Sequence, residues 1–193
     1  MKVLIILLLA INLFSYEVNY SNKYISKLKS RYTKELNHLS LKQIKTMLKV
    51  YSKAKPFDLS LTMVCISWQE SQFGKYMMNL SDPSFGNFHN NINSVLKRHD
   101  YSINNWNKSR VAQRLMEDFD FSFTEALSEL QYWKSYWKSK GTKEQWVHYV
   151  RSYNTGYRWS ENEHYIDNII IRMRVLRKFI SKHKELFDRV QYK

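Results

Sequence analysis

The sequence predicts a mainly α-helical protein, and three observations carry that expectation. Glycine and proline are scarce, at 4 and 2 of 193 residues, which argues against a sandwich, a barrel or a doubly wound sheet with glycine-rich loops. Apolar residues recur at helical spacing, as in Leu41, Ile44, Leu48 and Tyr51,. No strand-like alternation of apolar and polar residues stands out. Aromatic residues make up 16% of the chain, enough for a dense core and for surfaces that stack on sugar rings,. A length of 193 residues supports one domain with a real core plus an N-terminal extension,.

Taken in order, residues 1–15 read as a secretory signal peptide. Lys2 gives the positive start, and Val3 to Leu9 with Ala10, Ile11, Leu13 and Phe14 give an apolar stretch too short for a comfortable membrane span,. Ser15 is the small residue before cleavage; Leu13 departs from the small residue usual two positions earlier, so an uncleaved anchor is the alternative,. Residues 16–57 read as a basic helical leader. Within it, Ser40-Leu41-Lys42-Gln43 has the pattern of a capping box, which predicts a helix over 41–54 ended by Pro56,. Lys42, Lys45, Lys49 and Lys53 give that helix a basic face, solvated or, on the sharper reading, laid on a membrane surface,. A second helix is expected over 60–73, an ordered loop over 79–93, and a short helix to about Arg98,. Ser109 is expected to cap a helix through Met116, and Ser122-Phe123-Thr124-Glu125 to open one reaching Lys138,. Gly141 breaks the chain; the next helix starts near Thr142 and ends at Asn154 to Gly156, and the last runs from Asn162 past Phe179. Residues 186–193 form a tail.

The formal net charge of +14 implies an anionic partner,. Nucleic acid is the weakest choice, because the basic residues are dispersed and no nucleic-acid motif appears. The signal directs the chain to the bacterial periplasm or cell envelope, where wall polymers and anionic lipids supply negative charge. Cys65 is the one cysteine, so no intramolecular disulfide forms, and its apolar neighbours make it a small buried hydrophobe,. None of the six histidines forms a zinc pair, and Asp118 and Asp120 lack the spacing of a calcium loop, so neither metal nor cofactor is expected,.

Glu70 is the residue that points to chemistry. It ends a run in which Leu59, Leu61, Met63, Val64, Ile66 and Trp68 leave little polar surface. A carboxylate at the edge of an apolar helix is costly to ionise, and an acid that keeps its proton near neutral pH suits cleavage of a glycosidic bond. An ordinary surface Glu near a helix end is the plain alternative.

Four segments around Glu70 occur in a telling order: Glu70-Ser71-Gln72-Phe73, Ser84-Phe85-Gly86-Asn87-Phe88-His89, Tyr153-Asn154-Thr155-Gly156, and Glu161-Asn162-Glu163-His164-Tyr165-Ile166. Together they resemble the soluble lytic transglycosylase family, over roughly residues 58 to 175. The resemblance implies a lysozyme-like domain over 58–185, able to carry a small β-hairpin in the 79–93 loop, that acts on peptidoglycan glycan strands. It implies Glu70 as acid and then base, with Ser84, Gly86, Phe88, His89, Tyr153, Asn154 and Tyr165 around the substrate. Ser81 rivals Ser84, Phe88 stands in for a methionine wall, and His89 stands where the family has a sugar-donating glutamine. Tyr153 and Asn154 are expected to orient Glu70 and the glycan, and Tyr165 to bond the carboxylate. The family's Thr-Arg pair before Tyr165 is replaced by Asn162 and Glu163.

Glycosidases commonly use two carboxylates about 5 to 9.5 Å apart. Asp82 and Asp100 are the candidates for a second, which would make the chain a muramidase that hydrolyses the same bond. Asp82-Pro83-Ser84 is also an ordinary turn opener,. A third reading keeps the fold without activity, as a basic wall-binding protein. Trp133 and Trp137 share a helix face and are read as core in preference to sugar-stacking,.

Overall fold

A computed structural model of the chain describes residues 18, 20–143 and 145–189; the expected signal peptide lies outside the described residues. Nine α-helices are found among them. They are α1 (Asn22–Asn37), α2 (Leu41–Ala54), α3 (Ser60–Ser71), α4 (Ile92–Arg98), α5 (Asn105–Glu117), α6 (Phe119–Ser139), α7 (Gln145–Thr155), α8 (Glu163–Lys182) and α9 (Lys184–Arg189). Between α3 and α4 the chain forms a three-stranded antiparallel sheet of β1 (Met78–Asn79), β2 (Ser84–Phe85) and β3 (Asn90–Asn91), in that order. Met78 pairs with Phe85, and Ser84 pairs with both Asn79 and Asn91.

Helix α3 runs through the middle of the main core. Met63, Val64, Cys65, Ile66 and Trp68 are all buried, so the helix is apolar all round and shows no single stripe. Helices α2 and α8 pack on it, bringing Met47 and Val50 from one side and Ile166, Ile169 and Ile170 from the other. Helix α1 lies against α8, with Leu28, Tyr32 and Leu36 buried in the same core. The segment expected as a leader thus shares the core of the rest of the protein. A second, smaller cluster beside the sheet joins Val95 and Leu96 of α4 to Val111 and Leu115 of α5 and Phe121 of α6.

The capping box opening α2 is present: Ser40 Oγ accepts from the Gln43 N–H, and the Ser40 N–H donates to Gln43 Oε1 at 2.9 Å. Two other helix starts differ from expectation. Helix α5 begins earlier, capped by Asn104, whose Oδ1 accepts from the Asn107 N–H at 2.8 Å. Helix α6 is capped by Asp118, whose Oδ1 accepts from the Phe121 N–H at 2.9 Å, so Ser122 lies inside the first turns and is buried. Glu125, expected to complete a capping box there, is buried, ion-paired with Arg98 at 2.9 Å and in hydrogen-bond contact with His99 Nε2 at 2.6 Å. The basic face of α2 is only partly free, since Lys49 and Lys53 both reach Asp120, at 3.0 and 3.3 Å. Residues 186 to 189, expected as tail, close α9, and Phe187 is buried against the core. No helix among the described residues is long and apolar enough to cross a membrane.

Candidate functional site

Helix α3 stops one residue after Glu70, at Ser71, because Gln72, Phe73 and Gly74 take left-handed backbone, with φ of 49°, 59° and 83°. The Gln72 N–H closes the last turn on the Trp68 carbonyl at 3.1 Å,. Ser71 then ties this turn to the loop that follows β2. Its hydroxyl donates to the Asn87 carbonyl at 2.7 Å and accepts from the Gly74 N–H at 2.8 Å. Phe73 is buried and stacks on Trp68, with ring centroids 6.0 Å apart. The Glu-Ser-x-Phe segment is therefore a rigid helix end that fixes where Glu70 points.

Glu70 lies in a cleft of about 440 Å³. The small sheet forms one wall with Asn79, Asp82 and Ser84, and the end of α7 forms the other with Tyr153, Asn154 and Tyr157. The Glu70 side chain is 15% exposed. Its Oε1 accepts a hydrogen bond from the Tyr165 hydroxyl of α8 at 2.7 Å, and its Oε2 faces Nδ1 of His89 at 3.5 Å. The other ring nitrogen of His89, Nε2, sits 2.8 Å from the Tyr76 carbonyl. A carbonyl only accepts, so Nε2 carries the hydrogen and the tautomer is fixed. His89 holds φ of 46°, a left-handed conformation that histidine adopts more readily than most residues,.

Burial opposes the charge on His89, but its close contact with the Glu70 carboxylate and its hydrogen bond to the Tyr76 carbonyl outweigh it and raise the imidazole pKa above its usual value,. Burial, followed by the Glu70 charge, holds the phenols of Tyr165 and Tyr153 well above their ordinary value, so both stay neutral donors. Burial also pushes the Cys65 thiol up to about 12, which leaves it unreactive,.

The structure gathers most of the expected site residues and relocates two. Glu70, Ser84, His89, Tyr153, Asn154 and Asp82 all line the cleft, and Tyr165 touches Glu70 from behind. Phe88 is fully buried, packed on Phe119 and Phe123 of α6, and is not a wall for sugar. Gly86 is buried under α5, where an added Cβ would lie 2.5 Å from the Leu115 carbonyl oxygen; its role is structural. His89 faces Glu70 and Tyr76 where the glutamine of the resembled family was expected to address the sugar. The Tyr153 hydroxyl donates to the Phe88 carbonyl at 2.9 Å, so it braces the loop carrying His89. Asn154 accepts from Asn162 Nδ2 at 2.9 Å, joining the two ends of the turn into α8.

Ser84 rather than Ser81 is the cleft serine, since the Ser81 hydroxyl turns to Asn79 Oδ1. Asp82 accepts from Asn91 Nδ2 at 3.1 Å, a bond between the β1–β2 turn and β3. Asp100 sits in a left-handed turn after α4 and is not among the residues lining the cleft.

Sequence reasoning missed the far end of the cleft. Arg98 donates to Glu125 and Glu129 at 2.9 Å each, and Trp133 Nε1 donates to Glu129 Oε1 at 2.7 Å. Trp133 is buried as expected for core, yet its edge reaches the cleft beside Tyr157, with ring centroids 4.8 Å apart. The Tyr157 hydroxyl is bonded to that of Tyr132. The Glu129, Trp133 and Tyr136 spacing was the available signal: it puts an acid on the aromatic face of α6,. No group of His, Cys, Asp and Glu among the described residues is arranged to hold a metal ion. Comparison with known proteins finds no matching family model, no matching curated protein and no matching solved structure.

Proposed function

We propose that this chain is an exported peptidoglycan lytic transglycosylase with a lysozyme-like fold. The observation that carries the reading is the 2.7 Å hydrogen bond from Tyr165 to Glu70, across 95 residues, at the floor of a cleft. A largely buried carboxylate held by a neutral phenol has the geometry of a positioned general acid. In the proposed reaction Glu70 gives its proton to the oxygen linking N-acetylmuramic acid to N-acetylglucosamine, and the C1–O bond breaks. The substrate's acetamide oxygen closes on C1 to hold the positive charge. Glu70, now a carboxylate, takes the proton from the muramic 6-hydroxyl, whose oxygen displaces the acetamide. A 1,6-anhydro end forms, and no water is consumed.

Asp82 favours one competing reading. It lines the same cleft as Glu70, and an acid there suits a muramidase that places water for hydrolysis. Digestion of purified wall sacculi by the protein separates the two. Released muropeptides one water lighter than hydrolysis products are expected, and Glu70→Gln should release none above background. Products with free reducing ends would make the chain a muramidase. Release that survives Glu70→Gln would remove Glu70 from the chemistry.

A further inference from the structure

We propose that His89 and Glu70 act as one proton-sharing pair, so that the imidazole sets the alkaline edge of activity. The inference rests on Glu70 being the catalytic acid and adds to it the group that governs its proton. With Nε2 committed to the Tyr76 carbonyl at 2.8 Å, Nδ1 is the one ring nitrogen free to gain or lose a proton, and it faces Glu70 Oε2 at 3.5 Å. That separation is just beyond an ordinary hydrogen bond, and such contacts often tighten when substrate enters. The opposite carboxylate oxygen is already occupied by Tyr165. One proton therefore has two places in the pair, on Oε2 with a neutral imidazole, or on Nδ1 beside a carboxylate.

The surroundings preserve this arrangement. The phenols of Tyr165 on α8 and Tyr153 on α7 face the pair and stay neutral. Across the cleft Arg98 is bound to Glu125 and Glu129, and Asp82 to Asn91. The His89 side chain is 11% exposed, so water screens the couple poorly,. Its left-handed backbone is a conformation that is retained when the surroundings hold it, here by Tyr153 on the Phe88 carbonyl and Ser71 on the Asn87 carbonyl,.

Two ionisable groups this close lose their protons in steps that belong to the pair. The last proton leaves at the higher step, which the Glu70 charge raises for His89. The singly protonated pair, whose proton can reach Oε2, then persists to a higher pH than an unpaired carboxyl would keep its proton. When Glu70 gives its proton to the leaving oxygen, a carboxylate beside a neutral imidazole remains. The proton taken from the 6-hydroxyl restores the pair.

Two measurements on the full chain test this. Nitrogen-15 NMR of the His89 ring should give a titration that moves acidward by about one unit in Glu70→Gln. The alkaline edge of kcat/KM on sacculi should move acidward by about two units in His89→Gln, toward the ordinary carboxyl range. An unchanged His89 titration in Glu70→Gln overturns the pairing, and an unchanged alkaline edge in His89→Gln overturns its control of activity. If the wild-type protein cleaves no wall, the catalytic reading and its alkaline edge fail together, while the NMR shift still decides the pairing.

Discussion

Gly86→Ala tests how tightly the cleft loop is built. A Cβ at this position would fall 2.5 Å from the Leu115 carbonyl oxygen and 2.5 Å from Ser122 Oγ. Neither yields easily: the first is helix backbone, and Ser122 Oγ is also within 3.2 Å of the Asn90 side-chain amide. The backbone adds a second penalty, because φ of +85° is left-handed. Left-handed backbone costs an L-residue roughly 1–2 kcal/mol, and overpacking a filled site costs about 1–3 kcal/mol. The sum is a loss of about 2–5 kcal/mol, a large part of the stability of a single domain. Gly141→Ala is the control, since its φ is +68° but nothing lies within 4 Å of the added Cβ. It should lose only the backbone share, about 1–2 kcal/mol.

Urea unfolding followed by tryptophan fluorescence reads the difference. With a slope of about 2 kcal/mol per molar, Gly86→Ala should lower the midpoint by about 1–2.5 M, and Gly141→Ala by about 0.5–1 M. Without urea, Gly86→Ala should also cleave wall more slowly than Gly141→Ala, because the displaced loop carries His89. Equal midpoint shifts for the two variants would refute the steric argument.

Tyr165→Phe keeps the buried ring and removes the hydroxyl that donates to Glu70; muropeptide release should fall about tenfold to a hundredfold with no change in fold, a loss typical of a hydrogen bond to a charged group,. Arg98→Met leaves Glu125, whose side chain is 4% exposed, with the His99 ring as its remaining close polar partner. Unfolding free energy should drop by about 3 kcal/mol in denaturant titrations, as when one partner of a buried ion pair is removed. Because folding raises the His89 pKa, its imidazolium adds stability that is complete below about pH 6.5, the unfolded value, and is lost as pH rises through the higher folded value,. Urea midpoints measured across the neutral range should fall over that interval in the wild type and much less in Glu70→Gln.

Local signals read well from this sequence, and signals that depend on distant partners read poorly. The box at Ser40 and Gln43 was legible because both halves of its chemistry lie within four residues. The box expected at Ser122 has the same kind of pattern and fails, because Asp118 caps the helix four residues earlier and Arg98 and His99, more than twenty residues away, claim Glu125. Asn104 and Asp118 are equally good caps, each one turn or so before the residue expected. Glu70 was singled out as an acid ending an apolar helix and Tyr165 from its place in the resembled pattern, and the structure joins the two by a hydrogen bond. Phe88 shows the limit: an aromatic in a polar loop suits a cleft wall or a core plug alike, and the packing of α6 chose the core. His89 was found as a position, but its partner depended on a left-handed backbone that letters alone do not reveal.

The long reach between Glu70 and Tyr165 has a bearing on timing. The acid sits in the first half of the chain and the phenol that orients it arrives 95 residues later, on the last long helix. A ribosome-bound or partly threaded chain already contains Glu70 but has no α8 to dock beside it. If the proposed wall-cleaving function holds, competence would then come only with completed folding. Chains truncated before α8 should lack the phenol that orients Glu70, and on that reading the order of the helices would itself act as a safety catch.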